Sequence, residues 1–156
     1  MLDCGQLTSL IIKPALEDLV MYSEEAVELM IFTCAVESNG GSYLKQMSGP
    51  ALGIYQMEPK TYNDIWQNYI MKNSSILLRF IHGFGINVMP DEHRLIYDLR
   101  FATAMTRIHY MRIPEPLPKL HDLEALWNYY KTYYNTSAGK AEYHDSLNKY
   151  QIFRNS

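Results

Sequence analysis

The residue types best suited to chemistry fall in one stretch of the chain. Ala35-Val36-Glu37-Ser38-Asn39-Gly40-Gly41 is followed by Gly49-Pro50-Ala51-Leu52-Gly53-Ile54-Tyr55-Gln56-Met57-Glu58-Pro59-Lys60-Thr61. Glu37 ends an apolar run and adjoins a Gly-rich turn, so one side of its carboxyl meets hydrophobic packing and the other a cleft. Desolvation disfavours the ionised carboxyl and raises its pKa. A proton retained near neutral pH is what a general acid requires. The glycines let backbone groups approach a ligand closely, and the Gln56 amide both donates and accepts. Spacing alone carries little weight, because a glutamate at a helix end commonly faces solvent and a Gly/Pro segment is commonly a plain connection.

The elements that must position these residues read as helices. Ser23 is a good N-cap, and Glu24 and Glu25 complement the dipole of a helix over Glu24–Ser38. Asn39-Gly40-Gly41 stops it. Ala26, Met30, Thr33 and Glu37 fall on one stripe. Before it, Pro14 suits a first helical position and Ala15–Val20 reads as a short helix. The segment 40–59 holds four Gly and two Pro with no clear period, and reads as irregular. Helix resumes at Thr61–Met71 and Ser75–His82, and another helical region opens at Pro90-Asp91. Asp98 can cap a helix running to Ile113. Pro114-Glu115-Pro116-Leu117-Pro118 is a stiff connector. Asp122–Tyr134 and Lys140–Phe153 are the last helices. With no strand-like alternation and no repeat, the expectation is one all-α domain over 1–156.

The 156 residues include 47% hydrophobic and 20% charged residues, enough for a real core and too ordered a mix for a disordered or collagen-like chain. A net charge of −3 with no basic run argues against nucleic acid as a partner. Cys4 and Cys34 stand in no metal or redox spacing and read as free thiols. The five histidines form no zinc-ligand set, no Gly-x-Ser-x-Gly elbow surrounds Ser38 or Ser42, and no cofactor is implied. Arg100 and Arg107 read as surface ion pairs, and the stripe of Ala102, Met105 and Ile108 as core. The apolar run Leu7–Ile12, cut by Lys13 and Pro14, is too short for an export signal or a membrane span, so neither self-export nor membrane insertion is expected. Thirteen tyrosines, six after residue 128, suit sugar rings or half-buried helices equally.

Glu37-Ser38, then a Gly-bearing loop, then Gly53-Ile54-Tyr55-Gln56 with Pro59 and Thr61 resembles the lytic transglycosylase/goose-type lysozyme superfamily. That family carries a Glu-Ser pair, a Gly-Leu-Met-Gln-like segment about fifteen residues on and a nearby Pro-x-Thr. The two middle positions of the second element differ here, and both stay apolar or aromatic. Tyr134-Asn135, within Tyr133–Thr136, matches the family's Tyr-Asn element. The wording of Gly49–Pro59, with Arg112-Ile113-Pro114-Glu115-Pro116, is closest to small lysozyme-like proteins of tailed bacteriophages. The resemblance spans about Glu24–Lys140.

The resemblance implies a lysozyme-like fold and cleavage of the β-1,4 bond between N-acetylmuramic acid and N-acetylglucosamine in peptidoglycan, with Glu37 as acid and then base. Ser38, Gln56 and Tyr134 would orient the sugar or Glu37, Gly53 would shape the site, and Tyr55 would line the groove. Asn135 either contacts substrate or caps its helix. Glycosidases that use water commonly employ two carboxylates. Glu58 is the better second candidate, with a solvated loop glutamate as its alternative, and Asp64 is expected to face solvent. A single clear acid slightly favours a transglycosylase over a muramidase. The implied setting is a phage virion, in the tail or internal core, made in the host cytoplasm and acting on the periplasmic wall, with other virion proteins as partners. The alternatives are a virion structural protein with little activity and a free endolysin.

Overall fold

The computed structural model describes residues 1–135 and 139–156; Thr136, the last residue of the Tyr-Asn element, lies outside the described residues. The helices, in chain order, are α1 (Cys4–Gln6), α2 (Lys13–Asp18), α3 (Glu24–Ser38), α4 (Pro59–Ile65), α5 (Ser74–Phe84), α6 (Arg94–Tyr97), α7 (Leu99–Met111), α8 (Leu123–Tyr130) and α9 (Tyr143–Arg154). Three π-helical stretches, Leu7–Ile12, Trp66–Ile70 and Lys131–Asn135, extend or join them. The chain is all-α: the extended pairings among the described residues are two isolated antiparallel bridges, Lys45 with Leu52 and Leu52 with Met57.

α3 is the axis of the molecule. Its boundaries are those expected from the caps: the Ser23 Oγ accepts from the Ala26 amide, and Asn39 closes the helix in the left-handed region at φ 52°. The expected single apolar stripe is too narrow a description. Leu29, Met30, Ile31, Phe32, Thr33, Cys34 and Ala35 are all fully buried, so the helix is wrapped on every side. It packs against α7, α8, α9 and the first π-helical stretch. Phe32 meets Tyr130 of α8 edge-on at 5.4 Å and Tyr150 of α9 at 5.3 Å. A helix sheathed in this way holds its last turn rigidly, and Glu37 sits in that turn.

A second aromatic knot of Tyr62, Trp66, Phe80 and Phe101 joins α4, α5 and α7. Asp98 caps α7 by accepting from the Phe101 amide, as its position suggests, and Ala102, Met105 and Ile108 are core. Arg100 pairs with Asp18 rather than sharing a site with Arg107. Cys4 and Cys34 are free and buried. No helix among the described residues is long and apolar enough to cross a membrane.

The turn after α3 works by close approach. Gly40 has φ 63°, and a Cβ there would lie 2.5 Å from the Phe153 ring, so the C-terminal helix seals directly over this backbone. The segment 42–57 then folds back on itself. Gly53 donates to the Leu44 carbonyl at 2.8 Å, and Leu52 and Met57 exchange amide hydrogen bonds at 2.9 and 3.0 Å. This irregular stretch forms one wall of the cleft described next.

Candidate active site

A cleft of about 780 Å³ runs between the end of α3, the 46–61 segment and the helical face formed by α8, its π-helical extension and α9. Glu37, Gln56, Glu58, Tyr130, Tyr134 and Asn135 line it, together with His109, Lys60, Asp145 and Lys149. Residues distant in sequence thus face one another across a space large enough for sugar rings.

Glu37 is the centre of this arrangement. The Tyr130 hydroxyl donates to its Oε1 at 2.6 Å. Burial pushes the carboxyl up to about pH 7; hydrogen bonds from Tyr130 and Asn135, and the positive charges of Lys149 and Lys131, oppose the rise without cancelling it. The group therefore holds a proton to near neutrality while opening onto a cleft. Tyr130 itself is pushed far above the usual phenol range by burial and by the adjacent Glu37, so it remains a donor.

Ser38 has no face on the cleft. It is fully buried, donating to the Ile54 carbonyl at 2.6 Å and accepting from the Gly41 amide at 2.9 Å. The expectation that it orients a sugar is corrected: its hydroxyl pins the 53–56 turn to the end of α3. Gly53, at φ 75°, is likewise structural, since a Cβ would lie 2.2 Å from the Leu95 carbonyl oxygen. Tyr55 does not line the groove either. Its ring is 1% exposed, and its hydroxyl bonds Thr103 Oγ1 at 2.9 Å. The turn is buried as a unit, Gly53, Ile54 and Tyr55 alike, and only Gln56 within it reaches the cleft.

Gln56 does face the cleft, in the left-handed region at φ 49°, with its Nε2 donating to the Gly53 carbonyl at 2.8 Å. Tyr134 lines the cleft and donates to the Tyr55 carbonyl at 2.6 Å, joining the second motif to the third. Asn135 lies beside Glu37 and accepts from Lys131 Nζ at 2.7 Å. Glu58 stands exposed on the rim. Asp64 faces largely outward and is held by Arg112 at 2.8 Å and by Asn68.

Tyr130, His109, Asp145, Lys149 and Lys131 are the members that sequence reading leaves out. His109 is pushed down to about 4 by burial and by the neighbouring Arg112 guanidinium, which donates to its Nδ1 at 2.9 Å, and it lies edge-on to Tyr134 at 5.2 Å. Asp145 is paired with Lys149 at 2.8 Å. No local signal in the sequence marks Tyr130. Lys131–Asn135 runs in π-helical register, which brings residues five apart onto one face, whereas α geometry would separate Tyr130 from Asn135.

The arrangement supplies one partly desolvated proton donor, a phenol that steadies it, amides that can hold polar ligand groups, and an Asp145–Lys149 ion pair from α9. No family model, curated protein or solved structure matches this chain.

Proposed function

We propose that the chain is a peptidoglycan-cleaving enzyme of a tailed bacteriophage, with a lysozyme-like all-α fold, carried in the virion to open the cell wall at infection. The observation that carries the reading is Glu37: a carboxyl pushed up to about 7, hydrogen-bonded by Tyr130 and facing a cleft of sugar dimensions.

In this reading Glu37 transfers its proton to the glycosidic oxygen as the bond from the muramyl C1 to that oxygen breaks. The resulting carboxylate takes the proton of the muramyl 6-hydroxyl while that oxygen bonds to C1. The product is a 1,6-anhydro sugar, and Glu37 regains its proton. Gln56, facing the cleft, is suited to the N-acetyl and hydroxyl groups of the glycan. Two features favour this internal route over attack by water. Glu58 is exposed, and Asp145 is both exposed and paired with Lys149, so neither is a held, unpaired base.

Purified protein should clear a bacterial wall suspension, and Glu37→Gln should abolish clearing while leaving the fold intact. Mass spectrometry of the digest should find fragments one water lighter than hydrolysed ones. Equal clearing by the Gln variant would remove Glu37 from the mechanism. A second reading, a virion structural component that retains the fold, draws support from exposed apolar side chains such as Tyr97, Val20 and Met47, at 74, 74 and 86% exposure. It predicts stoichiometric copies in particles and no wall turnover.

A further inference from the structure

Lys131 carries an ammonium whose surroundings are unusual for a lysine. It pairs with no carboxylate among the described residues; instead its three hydrogens have three oxygen acceptors. These are Asn135 Oδ1 at 2.7 Å, the Gly139 carbonyl at 2.9 Å and the Ala141 carbonyl at 3.1 Å. Its stem passes the Trp127 ring, with Nζ 5.9 Å from the centroid.

The first of these contacts fixes an orientation. An asparagine amide is two-ended, and a cation with no acceptor capacity selects the oxygen end. With Oδ1 turned to Lys131, the NH2 end of Asn135 is the end left to serve Glu37. Lys131 and Asn135 are i, i+4 neighbours in the π-helical stretch, a spacing at which helical side chains meet.

We infer that Lys131 is a positioning residue for the Glu37 proton, acting through Asn135: its ammonium holds the Asn135 carbonyl end so that the amide N–H faces the Glu37 carboxyl. The assignment rests on the general-acid reading of Glu37 only for its consequence in catalysis; the orientation itself does not depend on it. The hydrogen bond from Asn135 outranks the direct field of Lys131 among the influences that lower the Glu37 pKa. The other charged and titratable groups near Glu37 are Tyr130 and Tyr134 on the same helical face, Tyr110 and His109 on α7, Lys140 before α9, Lys149 and Asp145 on α9, and Glu58 and Lys60 on the opposite rim.

The test is a double-mutant cycle read on the Glu37 carboxyl carbon by NMR titration of the full chain without substrate. Lys131→Met keeps the apolar stem and removes the ammonium. It should raise the Glu37 midpoint by about one pH unit, because a donor to the ionised form is released. The same change in an Asn135→Ala background should move it by less than half as much. The alkaline limb of the wall-clearing pH profile should move up with the midpoint. If Lys131→Met does not fold, Lys131→Gln, which keeps donors for the two loop carbonyls, enters the same cycle. An equal shift in both backgrounds, or no shift in either, overturns the positioning role. Wall clearing with an unmoved titration sinks this inference alone, whereas the predicted shifts in a protein that cleaves no wall sink the peptidoglycan reading alone.

Discussion

Two of the four carboxylates of α3, Glu28 and Glu37, lie nine positions apart, and their surroundings differ in one decisive respect. Glu28 is the more deeply buried, at 4% exposure. The His121 amide donates to one of its oxygens at 3.0 Å and the Tyr150 hydroxyl to the other at 3.1 Å, so both are occupied by the protein itself. Glu28 thereby ties α3 to α9 and to the end of the Pro-rich connector before α8. Glu37 receives a single close hydroxyl, from Tyr130, and opens onto the cleft. Burial of an acid is thus shared by a structural tie and a candidate proton donor. What separates them is access: Glu37 lines a cleft that a ligand can enter, and Glu28 does not.

That contrast can be broken most forcefully at Glu37. Glu37→Gln preserves shape but cannot deliver a proton, and the clearing rate should fall about a thousandfold. Glu28→Gln should leave clearing per folded molecule unchanged, and should instead cost about 2 kcal/mol of stability, because the amide sets a donor against a donor. Urea unfolding of the two variants beside their clearing rates would separate them. Comparable activity losses in both would dissolve the distinction.

The pH dependence of stability sharpens it further. The folded Glu37 binds its proton more tightly than the unfolded chain, with a midpoint of about 7 against an ordinary value of 4.5. Folding is therefore not penalised below pH 4.5; the penalty grows as pH rises to about 7 and is then constant, reaching about 3 kcal/mol. Glu37→Gln should consequently stabilise the protein at pH 8, by up to that amount, and have little effect near pH 4. Thermal melts across the range check this, and a Gln variant no more stable at pH 8 than at pH 4 would contradict it.

Smaller effects belong to the neighbours. Tyr130→Phe removes a donor to the ionised Glu37, so the midpoint should rise by about one unit and activity should drop about tenfold. Tyr55→Phe should lose about 1 kcal/mol of stability, through Thr103, with no direct effect on the cleft. A fall in activity beyond that expected from stability would put the Tyr55 side chain back into the site.

Legibility in the sequence followed the range of the interactions. The span of α3 was readable because Ser23 and Asn39 cap it through contacts within a few residues. The expected break after it and the cap at Asp98 were readable for the same reason. The expectation for Thr61–Met71 was less accurate: the helix starts at Pro59 and passes into π register at Trp66, a change that apolar spacing does not encode. In the cleft, Glu37 stood out as a polar residue closing an apolar helix beside glycines. Ser38 and Tyr55 depart from the expectation because motif membership does not say which way a side chain turns: the Ser38 hydroxyl is taken up by the Ile54 carbonyl and the Gly41 amide, and the Tyr55 hydroxyl by Thr103. Tyr130 and Lys131 were missed because their partners lie across the fold or depend on a helical distortion, and a tyrosine-rich run offers no local reason to choose one ring over another.

The proposed role of Glu37 requires its carboxyl to keep a proton near neutrality. Titration of its side-chain carbon by NMR in the free protein measures this directly. The expected midpoint is about 7, falling away only when the chain unfolds. A midpoint at the ordinary 4 to 5 of an exposed glutamate would contradict the proposed role.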